Sequence, residues 1–309
     1  MEEEALETED RKKEYRVITG EAMVCGVIGN PVGHSLSPLM HNYFAEALKL
    51  DYIYVPCKVQ EEEVGAAVKG IHALGFQGIN VTVPHKQRVM EHLVELDDAA
   101  RCIGAVNTLV RTESGYKGYN TDAEGLYRAI SGQGIDVRGR DCLMIGAGGA
   151  AKAVAYMLMS HGAASVVILN RTVEKAQALA DEMNRQFGCR TMRALSLADW
   201  TKLNKDSYLA LQTTSVGMHP KVDAAPIEDR DFYKKIRMAV DIIYTPARTR
   251  FMEYVEEAGG KAINGLDMLI YQGVIAFELW NPDVHVTDEV VEAVRRKMMD
   301  RLAGRNTEK

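Results

Sequence analysis

The chain has 309 residues, of which 47% are hydrophobic and 26% are charged. This length is about twice that of a typical single domain, so we expect two domains, and the composition excludes disordered and fibrous classes. Residues 1–14 contribute −4 to the net charge of −6, which leaves the rest of the chain close to neutral. Such a chain lacks the clustered Lys and Arg needed to bind nucleic acid, so no nucleic-acid partner is expected.

Residues 1–21 are predicted to form a flexible acidic extension. The sequence begins with acids rather than with an apolar signal segment, and the apolar run 153–159 is far shorter than the roughly 18 residues that span a bilayer. We therefore expect a cytoplasmic protein without a membrane partner. Five widely spaced cysteines without a Cys-x-x-Cys pair predict neither a disulfide framework nor a metal site.

Apolar runs alternate with amphipathic stretches in the first part of the chain. The predicted strands are 22–29, 52–55, 78–83 and 103–110, and the predicted helices are 39–48, 61–74 and 124–130. Alternation of strands and helices is typical of a mainly parallel sheet.

Polar side chains follow these strands. Ser35 and Ser37 come after the first strand, where their hydroxyls either face an anion or cap the next helix, a position that serine favours. Lys86 follows the third strand and is either a ligand-binding group or a solvated surface charge. Asn107 and Asp122 are polar residues that also suit turns. Because open α/β sheets bind ligands at the carboxyl ends of their strands, four such clusters favour one shared pocket.

A glycine-rich turn follows the apolar run 142–145. Gly146, Gly148 and Ala151 match the dinucleotide fingerprint G-x-G-x-x-A, in which the second glycine lets the backbone approach a pyrophosphate. The phosphates would lie at the N-terminus of the predicted helix 150–160. Gly162 after that helix and a strand at 165–169 supply the context that the motif requires. The alternative is a tight turn that binds nothing.

The end of this second strand indicates which dinucleotide binds. About 20 residues beyond the glycines, an NAD-binding domain carries an acid for the ribose 2′-hydroxyl. This chain has Asn170 and Arg171 there instead. A guanidinium is a planar bidentate donor that suits a 2′-phosphate, so the pair favours NADP. The alternative is that Arg171 is a surface residue before the predicted helix 174–187.

The rest of the chain continues this pattern. Strands are predicted at 208–212, 238–243 and 261–263, and the loops after them are expected to line the nicotinamide side of the site. Helices are predicted at 266–280 and 288–302. Gln272 is polar within the first of these apolar helices, so it faces either solvent or a ligand.

Taken together, these motifs resemble those of the shikimate dehydrogenase family from residue 22 to about residue 290. Seven motifs occur in the family's order, and they are Gly29-Asn30-Pro31 with His34-Ser35-Leu36-Ser37-Pro38, Asn80-Val81-Thr82-Val83-Pro84-His85-Lys86, Gly104-Ala105-Val106-Asn107-Thr108, Asn120-Thr121-Asp122, Gly146-Ala147-Gly148-Gly149-Ala150, Asn170-Arg171-Thr172, and Gly265-Leu266-Asp267-Met268 with Gln272-Gly273. The resemblance implies a two-domain α/β fold. It comprises a mainly parallel substrate-binding catalytic domain at 22–122, a Rossmann-type NADP-binding domain at 123–265, and a segment at 266–309 that returns to the first domain.

The resemblance also implies a reaction and the residues that perform it. The reaction is the reversible, NADPH-dependent reduction of 3-dehydroshikimate to shikimate in chorismate and aromatic amino acid biosynthesis, by a monomer or homodimer. Catalysis is assigned to Lys86, as proton donor, and to Asp122, which orients it. The implied substrate contacts are Ser35, Ser37, Thr82, Lys86, Asn107, Asp122, Tyr244 and Gln272. The implied cofactor contacts are Gly146, Ala147, Gly148, Gly149, Ala150, Asn170, Arg171, Thr172, Lys175, Ile242 and Gly265.

One position departs from the family and two other functions stay open. Gln212 stands where the family usually has Asn. A quinate/shikimate dehydrogenase with broader substrate or NAD use is one alternative, because the extra hydroxyl of quinate must fit near Ser35, Ser37 and Tyr244. The other is a non-catalytic NADP-binding sensor, which would have no need of Lys86 and Asp122.

Overall fold

The structure is a computed structural model that describes residues 18–307, with side chains as far as residue 304. The acidic extension predicted for residues 1–21 lies almost entirely outside these residues. Among the helices that are described, none combines the length and the apolar character needed to cross a bilayer.

The first sheet has six strands. In chain order they are β1 (Met23–Gly29), β2 (Tyr52–Lys58), β3 (Gly78–Val81), β4 (Glu95–Leu96), β5 (Thr108–Arg111) and β6 (Tyr116–Tyr119), and in space they run β2-β1-β3-β5-β6-β4. The pairs β1/β2, β1/β3 and β4/β6 are parallel, whereas β5 is antiparallel to both of its neighbours. Helices α1 (Ser37–Ala47), α2 (Val64–Ala73) and α3 (Asp98–Ile103) connect these strands. The predicted mainly parallel α/β architecture is confirmed.

The predicted strand 103–110 is wrong in its first half. Asp97 begins helix α3 by accepting a hydrogen bond from the backbone N–H of Ala100 at 2.8 Å. Gly104 ends that helix in the left-handed conformation, at φ +69°, which a glycine adopts without a steric penalty. The strand therefore begins only at Thr108, and Asn107 lies in the connection before it.

The second sheet is fully parallel. Its strands are β7 (Asp141–Ile145), β8 (Ser165–Asn170), β9 (Met192–Ser196), β10 (Tyr208–Gln212), β11 (Ile236–Asp241) and β12 (Lys261–Ile263), in the spatial order β12-β11-β10-β7-β8-β9. The helices around it are α5 (Ala151–Ser160), α6 (Val173–Phe187), α7 (Arg230–Tyr233) and α8 (Arg250–Glu257). From β7 the chain adds β8 and β9 on one side and then β10, β11 and β12 on the other. The switch point, where such sheets bind ligands, therefore lies between β7 and β10.

Strand β7 shows why the second sheet forms. Cys142 and Met144 pack into the core on one face of the sheet, and Leu143 and Ile145 pack into the core on the other. A strand that is buried on both faces reads as a continuous apolar run, and this is the pattern at 142–145.

Two helices connect the sheets and lie side by side. Helix α4 (Asp122–Gly132) leads from the first sheet to the second, and helix α9 (Leu266–Trp280) leads back. Their backbones approach closely at Gly125, where an added Cβ would lie 2.6 Å from the backbone nitrogen of Gln272.

The C-terminal helices pack against the first sheet. The indole N–H of Trp280 donates to the carbonyl of Leu109 at 2.8 Å. Helix α10 (Asp288–Thr307) contributes Val291, Val294 and Met298 to the apolar cluster that contains Phe44 of α1.

Candidate active site

A cavity of about 210 Å³ lies at the carboxyl ends of β1 and β3. All eight side chains predicted to bind substrate line it, and they are Ser35, Ser37, Thr82, Lys86, Asn107, Asp122, Tyr244 and Gln272. They come from six places in the chain. Tyr244 follows β11 of the second sheet and Gln272 lies in α9, so residues far apart in sequence share one pocket with the N-terminal loops.

Lys86 and Asp122 form an ion pair in this cavity. Lys86 Nζ donates to Asp122 Oδ2 at 2.7 Å, and the side chains are 32% and 17% exposed, respectively. Asn107 Nδ2 donates to the other carboxylate oxygen at 2.9 Å. A lysine ammonium has three donors, so the pairing with Asp122 leaves two for a ligand.

Asn107 is itself held in one orientation. Its Oδ1 accepts the backbone N–H of Thr121 at 2.8 Å and the hydroxyl of Thr108 at 3.1 Å. Its amide nitrogen, already bonded to Asp122, also donates to Thr121 Oγ1 at 2.9 Å. Reversal of the carboxamide would place a nitrogen against the Thr121 N–H, so these contacts fix which end faces Asp122.

Two buried residues extend this network beneath the cavity. Asn80 Nδ2 donates to the carbonyl of Asn107 at 3.2 Å and to Thr108 Oγ1 at 3.1 Å. The hydroxyl of Tyr54 donates to Asn80 Oδ1 at 2.6 Å. A chain of hydrogen bonds therefore runs from Tyr54 through Asn80 and Asn107 to the carboxylate of Asp122.

The end of this network at Tyr54, farthest from Asp122, is uncharged. Burial raises the pKa of Tyr54 well above its ordinary value, so the phenol stays protonated and can donate to Asn80. The ring of His41 stacks on Tyr54 with centroids 4.3 Å apart and planes 4° apart. Burial lowers the pKa of His41 to about 3, so this imidazole is neutral at physiological pH.

Sequence reasoning assigned no role to Tyr54 or Asn80, although Asn80 belongs to one of the quoted motifs. Both residues lie within strands, where the apolar pattern indicates core. The available signal was a carboxamide at a fully buried strand position, because a buried polar group requires partners.

The surroundings of Gln272 and Ser35 bear on the alternatives that the sequence left open for them. Gln272 is 9% exposed, lines the cavity and donates to the carbonyl of Leu269 at 2.7 Å, so the solvent-facing alternative is wrong. The hydroxyl of Ser35 accepts the backbone N–H of Ser37 at 3.2 Å, just before α1, whose N-cap is Leu36, and its side chain lines the cavity. Its contact with an anion stays a prediction.

A larger cleft of about 1100 Å³ adjoins the small cavity and shares His34, Leu36, Ile242 and Tyr244 with it. Three predicted cofactor residues line this cleft, namely Gly149, Ala150 and Ile242, and Gly265 lines the smaller cavity. The other predicted cofactor residues lie outside the linings of both. Gly146, Ala147 and Gly148 form the turn after β7, and Asn170, Arg171, Thr172 and Lys175 lie at the end of β8 and the start of α6.

The glycine-rich turn fits a dinucleotide. Gly146 has φ +111°, and an added Cβ would lie 2.6 Å from Thr213 Oγ1. A Cβ added at Gly148 or Gly149 would meet nothing within 4 Å, so the space beside the turn is open to a pyrophosphate. Ala151 is fully buried at the start of α5, as the third small position of the fingerprint requires.

Arg171 is available to an anionic ligand. Its side chain is exposed, and within residues 18–307 no carboxylate pairs with it. Asn170 Nδ2 donates to the carbonyl of Thr172 at 2.8 Å, which fixes the backbone on both sides of Arg171. The guanidinium can therefore meet a 2′-phosphate at the end of β8.

Comparison with known proteins shows which family the chain belongs to. The model of the shikimate dehydrogenase substrate binding domain matches residues 27–109, that of shikimate/quinate 5-dehydrogenase matches residues 129–242, and that of the shikimate 5′-dehydrogenase C-terminal domain matches residues 265–285. The chain is 40% identical over 283 residues to shikimate dehydrogenase (NADP(+)) of Methanothermobacter thermautotrophicus, an alignment that covers 91% of this chain and 98% of that relative. The chain belongs to the shikimate dehydrogenase family.

Solved structures of this family agree with the fold. A shikimate dehydrogenase in complex with NADP+ matches with a TM-score of 0.81 and 37% identity, over 91% of this chain and 97% of that one. The Thermus thermophilus enzyme in complex with NADP(H) and shikimate gives 0.78 and 35%, over 89% and 99%. Shikimate 5-dehydrogenase from Listeria monocytogenes, in complex with shikimate and NAD, gives 0.84 and 31%, over 92% and 98%.

Proposed function

We propose that this member of the shikimate dehydrogenase family catalyses the reversible reduction of 3-dehydroshikimate to shikimate with NADPH. The observation that carries the proposal is the Lys86–Asp122 pair, which lies in a cavity that opens onto the cleft beside the glycine-rich turn. Residues 22–122 together with 266–309 form the proposed substrate domain, and residues 123–265 form the proposed NADP domain. As a biosynthetic enzyme for a small metabolite, it is proposed to work in the cytoplasm as a monomer or homodimer.

The proposed substrate contacts follow from the chemistry of the cavity lining. The hydroxyls of Ser35, Ser37 and Tyr244 are neutral donors that suit the substrate carboxylate. The ring hydroxyls are assigned to Thr82, Asn107 and Gln272, together with the catalytic pair. Because hydroxyls both donate and accept, carboxamides and a threonine are suitable partners for them. Both amide hydrogens of Asn107 already bond Thr121 and Asp122, so a substrate hydroxyl would have to share one of these bonds.

The proposed catalytic step is protonation of the C3 oxygen by Lys86. NADPH supplies the hydride to the C3 carbon. As the carbonyl is reduced its oxygen gains negative charge, and an ammonium within about 3 Å both stabilises this charge and delivers a proton. Asp122 keeps Lys86 in place and accepts a hydrogen bond from the adjacent substrate hydroxyl. In the reverse direction Lys86, as the free amine, accepts the proton from the C3 hydroxyl of shikimate.

The proposed cofactor site extends along the edge of the second sheet. Gly146, Gly148 and the N-terminus of α5 would hold the pyrophosphate, since backbone N–H groups and the helix dipole favour negative charge there. Asn170, Arg171, Thr172 and Lys175 would hold the 2′-phosphate and adenosine ribose. Ile242 and Gly265, which line the substrate cavity, would lie at the nicotinamide end.

A broader shikimate/quinate activity with NAD tolerance is the second candidate. It is supported by the family model for residues 129–242, whose description includes quinate, and by the Listeria relative in complex with NAD. Against NAD tolerance stands Arg171, which interacts favourably with a 2′-phosphate and meets only a hydroxyl in NAD.

The test is an absorbance assay at 340 nm with shikimate and quinate, each paired with NADP+ and with NAD+. We expect shikimate with NADP+ to give the highest kcat/KM. Lys86→Ala should reduce kcat by about 10²- to 10⁴-fold, the usual contribution of a general acid–base group. The matched control is Lys117→Ala, because Lys117 also pairs with a carboxylate, Glu95, but lies outside both cavities. Absence of turnover with all four pairs would refute the proposal, and near-normal turnover of Lys86→Ala would refute its mechanism.

A further inference from the structure

Gln212 is a buried carboxamide at the end of β10. It is fully buried, so it cannot touch a ligand in either cavity. Both ends of its side chain are nevertheless hydrogen-bonded, and the partners lie in the loop after β10 and at Asp241, the last residue of β11. Because an unpaired buried amide is unfavourable, this bonding fixes the loops relative to the side chain.

The first of these loops is residues 213–218, directly after β10. Gln212 Oε1 accepts the backbone N–H of Thr214, and Gln212 Nε2 donates to the carbonyl of Val216 at 3.1 Å. The loop also contacts the glycine-rich turn, because Thr213 Oγ1 donates to the carbonyl of Ile145 at 2.9 Å. Gln212 therefore sets the shape of a loop whose start is anchored beside Gly146.

The second loop is residues 242–245, after β11. Gln212 Nε2 also donates to Asp241 Oδ1 at 3.3 Å. The same oxygen accepts the backbone N–H of Ile243 at 3.0 Å, and Oδ2 accepts the hydroxyl of the buried Thr249 at 2.6 Å. The backbone carbonyl of Gln212 accepts the N–H of Ile242 at 3.1 Å. Gln212 thus bonds both the side chain of Asp241 and the backbone N–H of Ile242, where the second loop begins.

The two loops form one wall of the larger cleft. Thr213, Thr214, Ser215 and Met218 line it from the first loop, and 242–245 line it from the second. Ile242 and Tyr244 also line the small cavity that holds Lys86 and Asp122. A displacement of these loops would change the distance between the cofactor cleft and the substrate cavity.

We propose that Gln212 is a positioning residue, which couples the two loops and thereby sets where the nicotinamide end of the dinucleotide binds. This inference rests on the proposed cofactor site. The length of the side chain matters for this role. An Asn side chain is shorter by one C–C bond, about 1.5 Å, and cannot reach Thr214, Val216 and Asp241 together unless the loops move.

The test compares Gln212→Ala and the milder Gln212→Asn with the wild type. The dissociation constant of NADPH is measured by its fluorescence without substrate, and the KM of shikimate is measured at saturating NADP+. We expect the NADPH dissociation constant to rise at least tenfold in Gln212→Ala and about threefold in Gln212→Asn. The KM of shikimate should rise by a smaller factor in each variant, because only Ile242 and Tyr244 of the two loops line the substrate cavity. Amide hydrogen exchange should accelerate in 213–218 and in 242–245 and stay unchanged in β7.

The control variant is Tyr233→Phe, which removes a buried hydrogen bond of 2.6 Å to the carbonyl of Ile227 in the same sheet's core, away from both cavities. It should lower Tm without weakening NADPH binding. Gln212 variants that bind NADPH as tightly as the wild type would overturn the inference alone. So would losses that track Tm and affect NADPH and shikimate equally. A wild type that binds no NADPH would overturn the proposed cofactor site and this inference together.

Discussion

Replacing Asp122 by Asn tests whether the carboxylate organises the catalytic pair. In the wild type, one carboxylate oxygen accepts from Lys86 at 2.7 Å and the other accepts from Asn107 at 2.9 Å. The introduced carboxamide has one oxygen and one NH2 group. Because both neighbours are donors, either orientation places the NH2 group against a donor. Asn107 cannot reverse to compensate, since its own oxygen already accepts from Thr121 and Thr108.

The size of the effect follows from these contacts. A hydrogen bond to a charged group contributes about 1.5–3 kcal/mol, and the substitution removes the charge-assisted bond to Lys86 and disrupts the second bond. A loss of about 2–3 kcal/mol in transition-state stabilisation corresponds to a decrease in kcat of about 30- to 150-fold. The KM of shikimate should change less, about threefold, because the carboxamide oxygen can still accept from a substrate hydroxyl.

The assay is the initial rate at 340 nm in both directions, with Tm measured alongside to confirm folding. The control is Glu95→Gln, which neutralises the exposed carboxylate of the Lys117 ion pair, outside both cavities. It should leave kcat unchanged. A kcat for Asp122→Asn within threefold of the wild type would show that the orientation of Lys86 does not depend on the charge at position 122.

Three further predictions follow from contacts described above. Arg171→Ala should raise the KM of NADP+ about tenfold to a hundredfold, the loss expected for a charge-assisted phosphate contact, and change the KM of NAD+ less than threefold; equal changes in steady-state assays would argue against a 2′-phosphate contact. Tyr54→Phe leaves the buried Asn80 Oδ1 without its donor and should lower the free energy of unfolding by about 1–3 kcal/mol, with a severalfold loss of kcat; urea melts that match the wild type would refute this. Burial raises the pKa of Asp241 to about 6, so the folded state holds this proton more tightly than the unfolded chain does. The protonated Asp241 therefore stabilises the folded state fully below about pH 4, and this stabilisation of about 3 kcal/mol is lost as the pH rises through 6. The free energy of unfolding of the wild type relative to Asp241→Asn should fall by this amount between pH 4 and pH 7. Parallel pH profiles of the two proteins in urea melts would contradict this.

The sequence could predict that these side chains share one cavity, because the ends of parallel strands lie at the same edge of a sheet. Ser35, Lys86 and Asp122 each follow a strand of the first sheet, and polar residues there stand out against the apolar strands. Tyr54 and Asn80 did not stand out, because they lie inside strands where a residue's partners depend on the strand beside it. Their hydrogen bond joins β2 to β3, which are not neighbours in the sheet order. Sequence periodicity carries no information about such a contact.

Boundaries were harder to predict than the elements themselves. Residues 103–107 are small and apolar enough to continue a strand, but the Asp97 cap and the left-handed Gly104 make the first of them the end of a helix. Strand β9 and helix α8 were not predicted. Both are short, and α8 depends on a buried Thr249 cap that also bonds the carboxylate of Asp241. Tertiary contacts therefore decide the local structure at these places.

The side-by-side packing of α4 and α9 determines how the two sheets can move relative to each other. The chain passes between the sheets through α4 and α9, and these helices contact each other at Gly125. A rotation of one sheet relative to the other that preserves this packing therefore has its axis along the helix pair. Asp122 begins α4 and Gln272 lies within α9, so both stay near the axis. Ile242 and Tyr244 belong to the opposite sheet and travel farther for the same angle. A rotation of the sheets about this helix pair would therefore displace Ile242 and Tyr244 while it preserves the contacts of Asp122.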